Sequence, residues 1–235
     1  MPKENYPVTL IQIDEMSPTV RNFHFEFKEK PRFDYKPGQF VTIELVKDGK
    51  NTRKSYSIAS PPYLQNKIEL CIKRVDGGFT SNWFFNLKVG DEITIQGPHG
   101  VFSLKEPLPP HLIFAATGTG IAPLRAQARE LLHAGDQRKM SMILGVRHEE
   151  EILFKDEMRA LEKQYSNFEF IPIISRPKTW KGEAGYVQDV IRRRFSDPKD
   201  KEVYICGLVP MVNDLKATLS ELGYPSESIH FEKWT

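Results

Sequence analysis

Apolar and polar residues alternate along much of the first hundred positions. Residues 8–13, 23–27, 40–45, 68–72 and 92–95 place β-branched, aromatic or leucine side chains at every second position, the period of a strand with one buried face. Turn residues separate these runs: Pro37-Gly38, Asp48-Gly49, Pro61-Pro62, Asp76-Gly77-Gly78, Gly90-Asp91, and Gly97-Pro98 with Gly100. Such residues supply a positive or a preset φ where the chain reverses. With the mixed-face stretch 53–60, this makes about six short strands, and the pattern predicts a six-stranded antiparallel β-barrel. One short helix is expected over 81–87.

The pattern stops at 105–110 (KEPLPP), where three prolines fall in four positions. Proline removes the N–H that a ladder needs, so this stretch reads as a boundary between a first domain, 1–106, and a second, 107–235. Beyond it the period itself changes. Strand-like runs at 111–115, 140–144, 168–174 and 202–206 alternate with helix-like runs at 121–132, 150–164, 187–194 and 210–222. That order predicts an α/β doubly wound parallel sheet, with ligands at the carboxyl ends of its strands. The turns after Ala116, Gly145, Ser175 and Cys206 lie there.

Composition changes this picture mainly by exclusion. The chain has 235 residues, 40% of them hydrophobic and 27% charged, with a net charge of +2. That charge is too small to suggest a nucleic-acid partner, and the triplet Arg192-Arg193-Arg194 reads as a solvated helix face. No apolar run approaches the ~20 residues that cross a bilayer, and the N-terminus is polar. No membrane insertion is expected, and the cytoplasm is the expected location. Cys71 and Cys206 are the only cysteines, too few for an iron–sulfur cluster, and the histidines show no metal-ligand spacing. Redox chemistry here would need an organic cofactor or a partner.

Two stretches carry candidate chemistry. The first is 116–123, ATGTGIAP, between a strand and a helix. Thr117, Gly118, Thr119 and Gly120 would form a turn whose backbone approaches a phosphate closely, aided by the helix N-terminus. Pro123 stands where the dinucleotide fingerprint wants a small residue, so a tight turn without a ligand is the alternative. The second is 53–60, RKSYSIAS. A cation (Arg53 or Lys54) would pair with a phosphate, Tyr56 would stack on an isoalloxazine, and Ser57 would hydrogen-bond its reactive edge. A plain strand with mixed faces is the alternative. Arg53 and Lys54 point to opposite faces of a strand, so only one of them would pair with that phosphate.

Residues 54–60 resemble the FAD motif of the ferredoxin–NADP reductase family, basic-x-Tyr-Ser-x-x-Ser, with Lys54 where that family usually has arginine, so the resemblance favours Lys54 over Arg53. The resemblance continues in order along nearly the whole chain. Residues 70–74 (LCIKR), with Cys71, Ile72 and Lys73, resemble the next flavin-lining strand. Residues 78–84, with Gly78, Phe79, Thr80 and Ser81, resemble the turn for the FAD pyrophosphate, where Thr80 and Ser81 would cap the short helix. Residues 87–91 and 97–100 match further landmarks. Residues 116–123 resemble the NADP pyrophosphate turn, and 144–147 with Arg147, 175–177 and 206–208 complete the second domain.

Several roles follow from this resemblance. Ser57 would sit at flavin N5. Cys206, beside Gly207, would help place the nicotinamide, and Glu232 would be a tail carboxylate near it and a proton relay. Trp234 stands near the family's terminal aromatic, followed here by one further residue. Ser175 and Arg176, with Lys178 and Lys181 close by, would read the adenosine ribose. A hydroxyl among cations suits a 2′-phosphate, so FAD and NADP(H) are the expected cofactors, with NAD(H) as the alternative. The expected activity is an FAD-dependent NAD(P)H oxidoreductase exchanging electrons with ferredoxin or flavodoxin, acidic carriers that Lys47, Lys50 and Arg53 would steer. The alternatives are an NADH-dependent reductase for an oxygenase, a cytochrome or free flavin, and a flavin relay subunit of a larger complex.

Overall fold

The computed structural model describes residues 5–234. The polar segment 1–4 and Thr235 lie outside them. The first six strands are β1 (Asn5–Ser17), β2 (Val20–Phe27), β3 (Phe40–Lys47), β4 (Lys50–Ser57), β5 (Lys67–Lys73) and β6 (Glu92–His99). They form one antiparallel sheet in the order β4-β3-β6-β1-β2-β5. Just past β4 the two edges meet: Ile58 bridges Leu70, and the Ala59 N–H donates to the Glu69 carbonyl at 2.8 Å. The sheet is thus a barrel closed by a short seam. Its interior holds the alternating apolar positions, among them Leu10, Phe23, Phe25, Val41, Ile43, Ile68 and Ile95. Helix α1 (Phe79–Asn86) adds Phe84 to that core. It starts two residues before the expected helix, so Thr80 and Ser81 lie inside its first turn rather than at its cap. Gly78 is the N-cap, and no side chain caps the helix.

The second sheet contains β7 (His111–Thr117), β8 (Lys139–Val146), β9 (Phe168–Ile174), β10 (Glu183–Ala184), β11 (Lys201–Leu208) and β12 (Ile229–Trp234). All pairs are parallel, in the order β10-β9-β8-β7-β11-β12. The helices are α2 (Ile121–His133), α3 (Lys155–Gln164), α4 (Val187–Arg194) and α5 (Val209–Glu221). Chain order reverses between β7 and β11, and a crevice opens at such a switch point. On one sheet face Ile113, Ile143 and Ile205 pack under α4 and α5. On the other, Phe114, Met142 and Tyr204 pack with α2 and α3, and the same cluster takes in Val20, Ala59, Cys71 and Phe102 from the barrel side. One apolar core therefore runs across the junction, which presses the barrel against the sheet at the end where its strands finish.

Candidate functional site

The crevice at the switch point is a cavity of about 380 Å³ with walls from both halves. The sheet supplies Thr117 at the end of β7, Gly118, Thr119 and Gly120 after it, Arg147 after β8, Ser175 after β9, Gly207 on β11 and Trp234 on β12. The barrel supplies Ser17, Thr19, Val20 and Lys73. The chain enters α2 through a tight turn at Gly118–Gly120. Gly118 has φ +52, and a Cβ on Gly120 would lie 2.1 Å from the Cys206 carbonyl oxygen, so the turn can sit against β11 only without a side chain there. The Thr117 hydroxyl is shut off from solvent without a hydrogen-bond partner, in the cavity wall. An acceptor-rich group such as a pyrophosphate would satisfy it.

Beside this cavity the barrel brings a second set of residues together. Register pairs Tyr56 with Val41 and Lys54 with Ile43, so Tyr56 and Lys54 share one side of β4. The Tyr56 ring meets Phe84 of α1 edge-on at 5.1 Å, and burial pushes its phenol up to about 12. Arg53 faces the other way and is engaged: its Nε donates to Glu44 at 3.0 Å and its Nη2 to Gln96 at 2.7 Å. That leaves Lys54, exposed and without an ion pair or hydrogen bond among the described residues, as the cation beside Tyr56. At the start of α1 the Ser81 hydroxyl donates to the Gly78 carbonyl and accepts from the Val75 N–H. The buried Thr80 hydroxyl has no partner. Lysine, aromatic ring, helix N-terminus and orphaned hydroxyl together fit a flavin nucleotide. Cys71 and Ile72 point their side chains into packed cores, so only their main chain is available on the open edge of β5.

The two sets meet at Ser57, whose hydroxyl donates to Glu232 Oε2 across the junction in a long hydrogen bond of 3.5 Å. Glu232 is held by β12, which pairs Cys206 with Glu232 and Leu208 with Trp234. Burial raises the Glu232 carboxyl above the usual range, only partly offset by Ser57. Cys206 is wholly buried rather than in the cavity wall. Burial and the nearby Glu232 raise its thiol well above the ordinary value, which a contact with Trp234 partly offsets. Such a thiol stays protonated and makes a poor nucleophile. Arg176 is exposed outside the cavity wall, next in the chain to Ser175.

Sequence reasoning missed three features here. Tyr186, 62% exposed, lines the cavity just before α4; an exposed aromatic on a ligand cavity is a platform for a flat ring, and its signal was a tyrosine ahead of a helix start. Thr19 and Ser17, from the β1–β2 turn, carry no motif. Arg125, 4% exposed, bonds to the barrel from α2, and only the fold brings those partners together. Among the described residues no group of His, Cys, Asp or Glu is placed to hold a metal ion, and both cysteines are free buried thiols.

Comparison with known proteins agrees with this geometry. Residues 7–104 match an oxidoreductase FAD-binding domain and residues 114–217 an oxidoreductase NAD-binding domain. The chain is 33% identical to ferredoxin–NADP reductase B of Sorangium cellulosum over 98% of both chains. It is 30% identical to the glycine betaine monooxygenase reductase subunit of Pseudomonas aeruginosa, covering 96% of this chain but only 63% of that one. Among solved structures, a ferredoxin NADP+ reductase from Neisseria gonorrhoeae with bound FAD and NADP superposes with a TM-score of 0.84 at 22% identity, covering 97% and 98% of the two chains. The Amycolatopsis cytochrome P450 reductase GcoB gives 0.88 at 25% identity, covering 99% of this chain and 70% of the other. The chain belongs to the ferredoxin–NADP reductase family: it is a flavoenzyme that binds FAD and NAD(P), and the expected two-domain fold is the one observed.

Proposed function

We propose that this reductase oxidises NADPH and passes the electrons to an acidic carrier of the ferredoxin or flavodoxin type, in the cytoplasm. We divide it at 106/107 into an FAD-binding and an NADP-binding domain; the division is supported by the irregular stretch between β6 and β7. The observation that carries the reading is the Ser57–Glu232 hydrogen bond. It puts Ser57 of the flavin-type motif and the carboxylate of β12 at one point beside the cavity.

Lys54 and the first amides of α1 would hold the FAD phosphates, with main-chain groups of 71–73 and of Gly78 and Phe79 along the flavin. Tyr56 would lie against the isoalloxazine, and Ser57 would hydrogen-bond its N5 edge. When bound, FAD supplies a group that takes hydride from the nicotinamide and gives electrons up singly or in pairs. The turn 117–120, with Lys73 reaching from the barrel, would hold the nucleotide pyrophosphate. Gly207 would let the nicotinamide approach closely, Cys206 would support that floor from beneath, and Trp234 would cover the ring position. Glu232, its carboxyl raised by burial, would hold a proton and pass it through the Ser57 hydroxyl.

NADPH is favoured because no unengaged acid among the described residues after β8 and β9 lines the cavity. Arg147 follows β8, and Ser175 and Arg176 follow β9. Glu151 lies in the same wall, but its carboxylate accepts from the main-chain N–H groups of Arg147 and His148. A guanidinium forms a bidentate ion pair with a 2′-phosphate but only a weaker, uncharged-acceptor hydrogen bond with a 2′-hydroxyl. Tyr186 would stack on the adenine. The oxygenase-reductase reading with NADH rests on relatives of which this chain spans only about two-thirds, whereas it spans 98% of the Sorangium reductase.

Anaerobic reduction of the purified protein, followed by flavin absorbance, tests the choice: NADPH should bleach it at lower concentration than NADH. Arg176→Ala should raise the KM for NADPH on the order of tenfold and leave that for NADH nearly unchanged. Equal effects on both would remove the 2′-phosphate argument. Failure of either nucleotide to reduce the flavin would favour the relay-subunit reading.

A further inference from the structure

The two halves are joined by more than apolar packing. Arg125 sits in the second turn of α2. Its Nη1 donates to the Ala59 carbonyl and to Glu69 Oε2, each at 2.7 Å, and both acceptors belong to the barrel side. Its Nε donates to both oxygens of Glu157 on α3 at 3.0 Å, and its Nη2 to Glu157 at 2.7 Å. The Phe154 ring lies 4.3 Å from the guanidinium. Arg129, one helical turn on, stands 3.2 Å from Glu157 and 3.9 Å from Glu69. From the barrel, Asn22 donates to Glu69 at 2.9 Å, and His24, itself paired with Asp14, lies 4.0 Å away.

Glu69 is 5% exposed and Arg125 4%. Burial alone would disfavour both charges. The mutual pairing outweighs it, holding the Glu69 carboxyl below and Arg125 above its usual range. A buried ion cluster of this kind adds little net stability over a well-packed apolar one. What it does supply is geometry: a planar fork bonded to a main-chain carbonyl and two carboxylates cannot slide as apolar surfaces can.

We propose that Arg125 is a positioning residue for transfer between the two coenzyme rings. Ala59 lies two residues past Ser57, and α2 begins directly after the Gly118–Gly120 turn. The fork therefore ties the strand end that carries Ser57 to the helix that carries the phosphate turn. A displacement of about 1 Å between reacting centres can cost roughly 100-fold in rate. This role rests on the two-coenzyme reading given above.

The test starts with Arg125→Lys, which keeps the charge and loses the fork. The variant should retain FAD and bind NADPH with a Kd within about threefold of the parent. In anaerobic stopped flow it should be reduced at least about tenfold more slowly. The double variant Arg125→Met with Glu69→Met removes the buried charges together, and it should fold and show the same slowing. Independently of any nucleotide, hydrogen exchange at the Ala59 amide should speed up in both. Reduction within twofold of the parent overturns the proposal. So does a slowing that tracks an equal loss of NADPH affinity, which would place Arg125 in the nucleotide site itself. Should neither protein fold, Glu157→Gln, which loosens the fork from its half-buried side, decides by the same readouts. If the parent is reduced by no nucleotide, the two-coenzyme reading fails, and unchanged exchange at Ala59 then overturns the joint separately.

Discussion

Glu232 combines a raised carboxyl with a hydrogen bond from Ser57, and both have measurable consequences. Because folding favours its protonated form, the stability this group contributes is present in acid and is lost as pH rises through its folded value. Glu232→Gln removes that dependence. The variant should be at least as stable as the parent at about pH 7.5 and gain nothing at about pH 4, as read by urea unfolding. Ser57→Ala should retain FAD yet slow flavin reduction by on the order of 100-fold, the usual effect of losing one aimed donor; an unchanged rate would remove Ser57 from N5. Both residues were legible because they lie in or near ordered motifs. Arg125 and Glu69 were not. Each is an ordinary charged residue in its own element, and a fold is needed to turn two such residues, more than fifty positions apart, into one buried pair. That Arg53 and Lys54 take opposite faces was legible, because strand alternation alone separates them.

Among the elements, the turn before α2 makes the sharpest prediction. Gly120→Ala would drive a methyl group into the Cys206 carbonyl, separating α2 from β11. The cost should be at or above the ~1–3 kcal/mol usual for overpacking, with a matching loss of nucleotide affinity. Gly118→Ala meets no atom within 4 Å and carries only the left-handed backbone penalty of about 1–2 kcal/mol. Thermal unfolding of the two variants checks the order. Helix 187–194 was read with the bounds it has, since its apolar period runs unbroken. Helix α3 begins at Lys155, not 150, because Phe154 takes a left-handed conformation with φ +54 that ends the preceding turn. Strands β10 and β12 escaped the pattern for different reasons. The first is two residues long. The second is a half-exposed edge whose inner positions hold His230, Glu232 and Trp234, so its alternation does not read as apolar against polar.

For the whole molecule, the apolar core that crosses the junction packs barrel and sheet as one, and a buried histidine in the second half gives stability a pH dependence. His111, at the start of β7, is buried with its Nε2 on the Ser141 hydroxyl at 2.8 Å. Burial, with Lys139 and Lys201 nearby, lowers it from 6.5 to about 4. The unfolded chain therefore takes up this proton first, and the contribution of His111 to stability falls as pH drops from about 6.5 towards 4. His111→Gln should flatten that limb in denaturant titrations at pH 7, 5.5 and 4.5; an unaltered slope would discount the histidine.

Charge is also distributed with a consequence for partners. Arg192, Arg193 and Arg194 on α4 each meet a carboxylate of a different element: Glu221, Glu183 and Glu169. Each such pair is weak on its own. Together they cancel the field of the triplet beyond a Debye length. A polyanion drifting past that ridge, heparin or RNA for instance, meets a mosaic of alternating sign, and a chain with an isoelectric point near 8.4 offers it no foothold there.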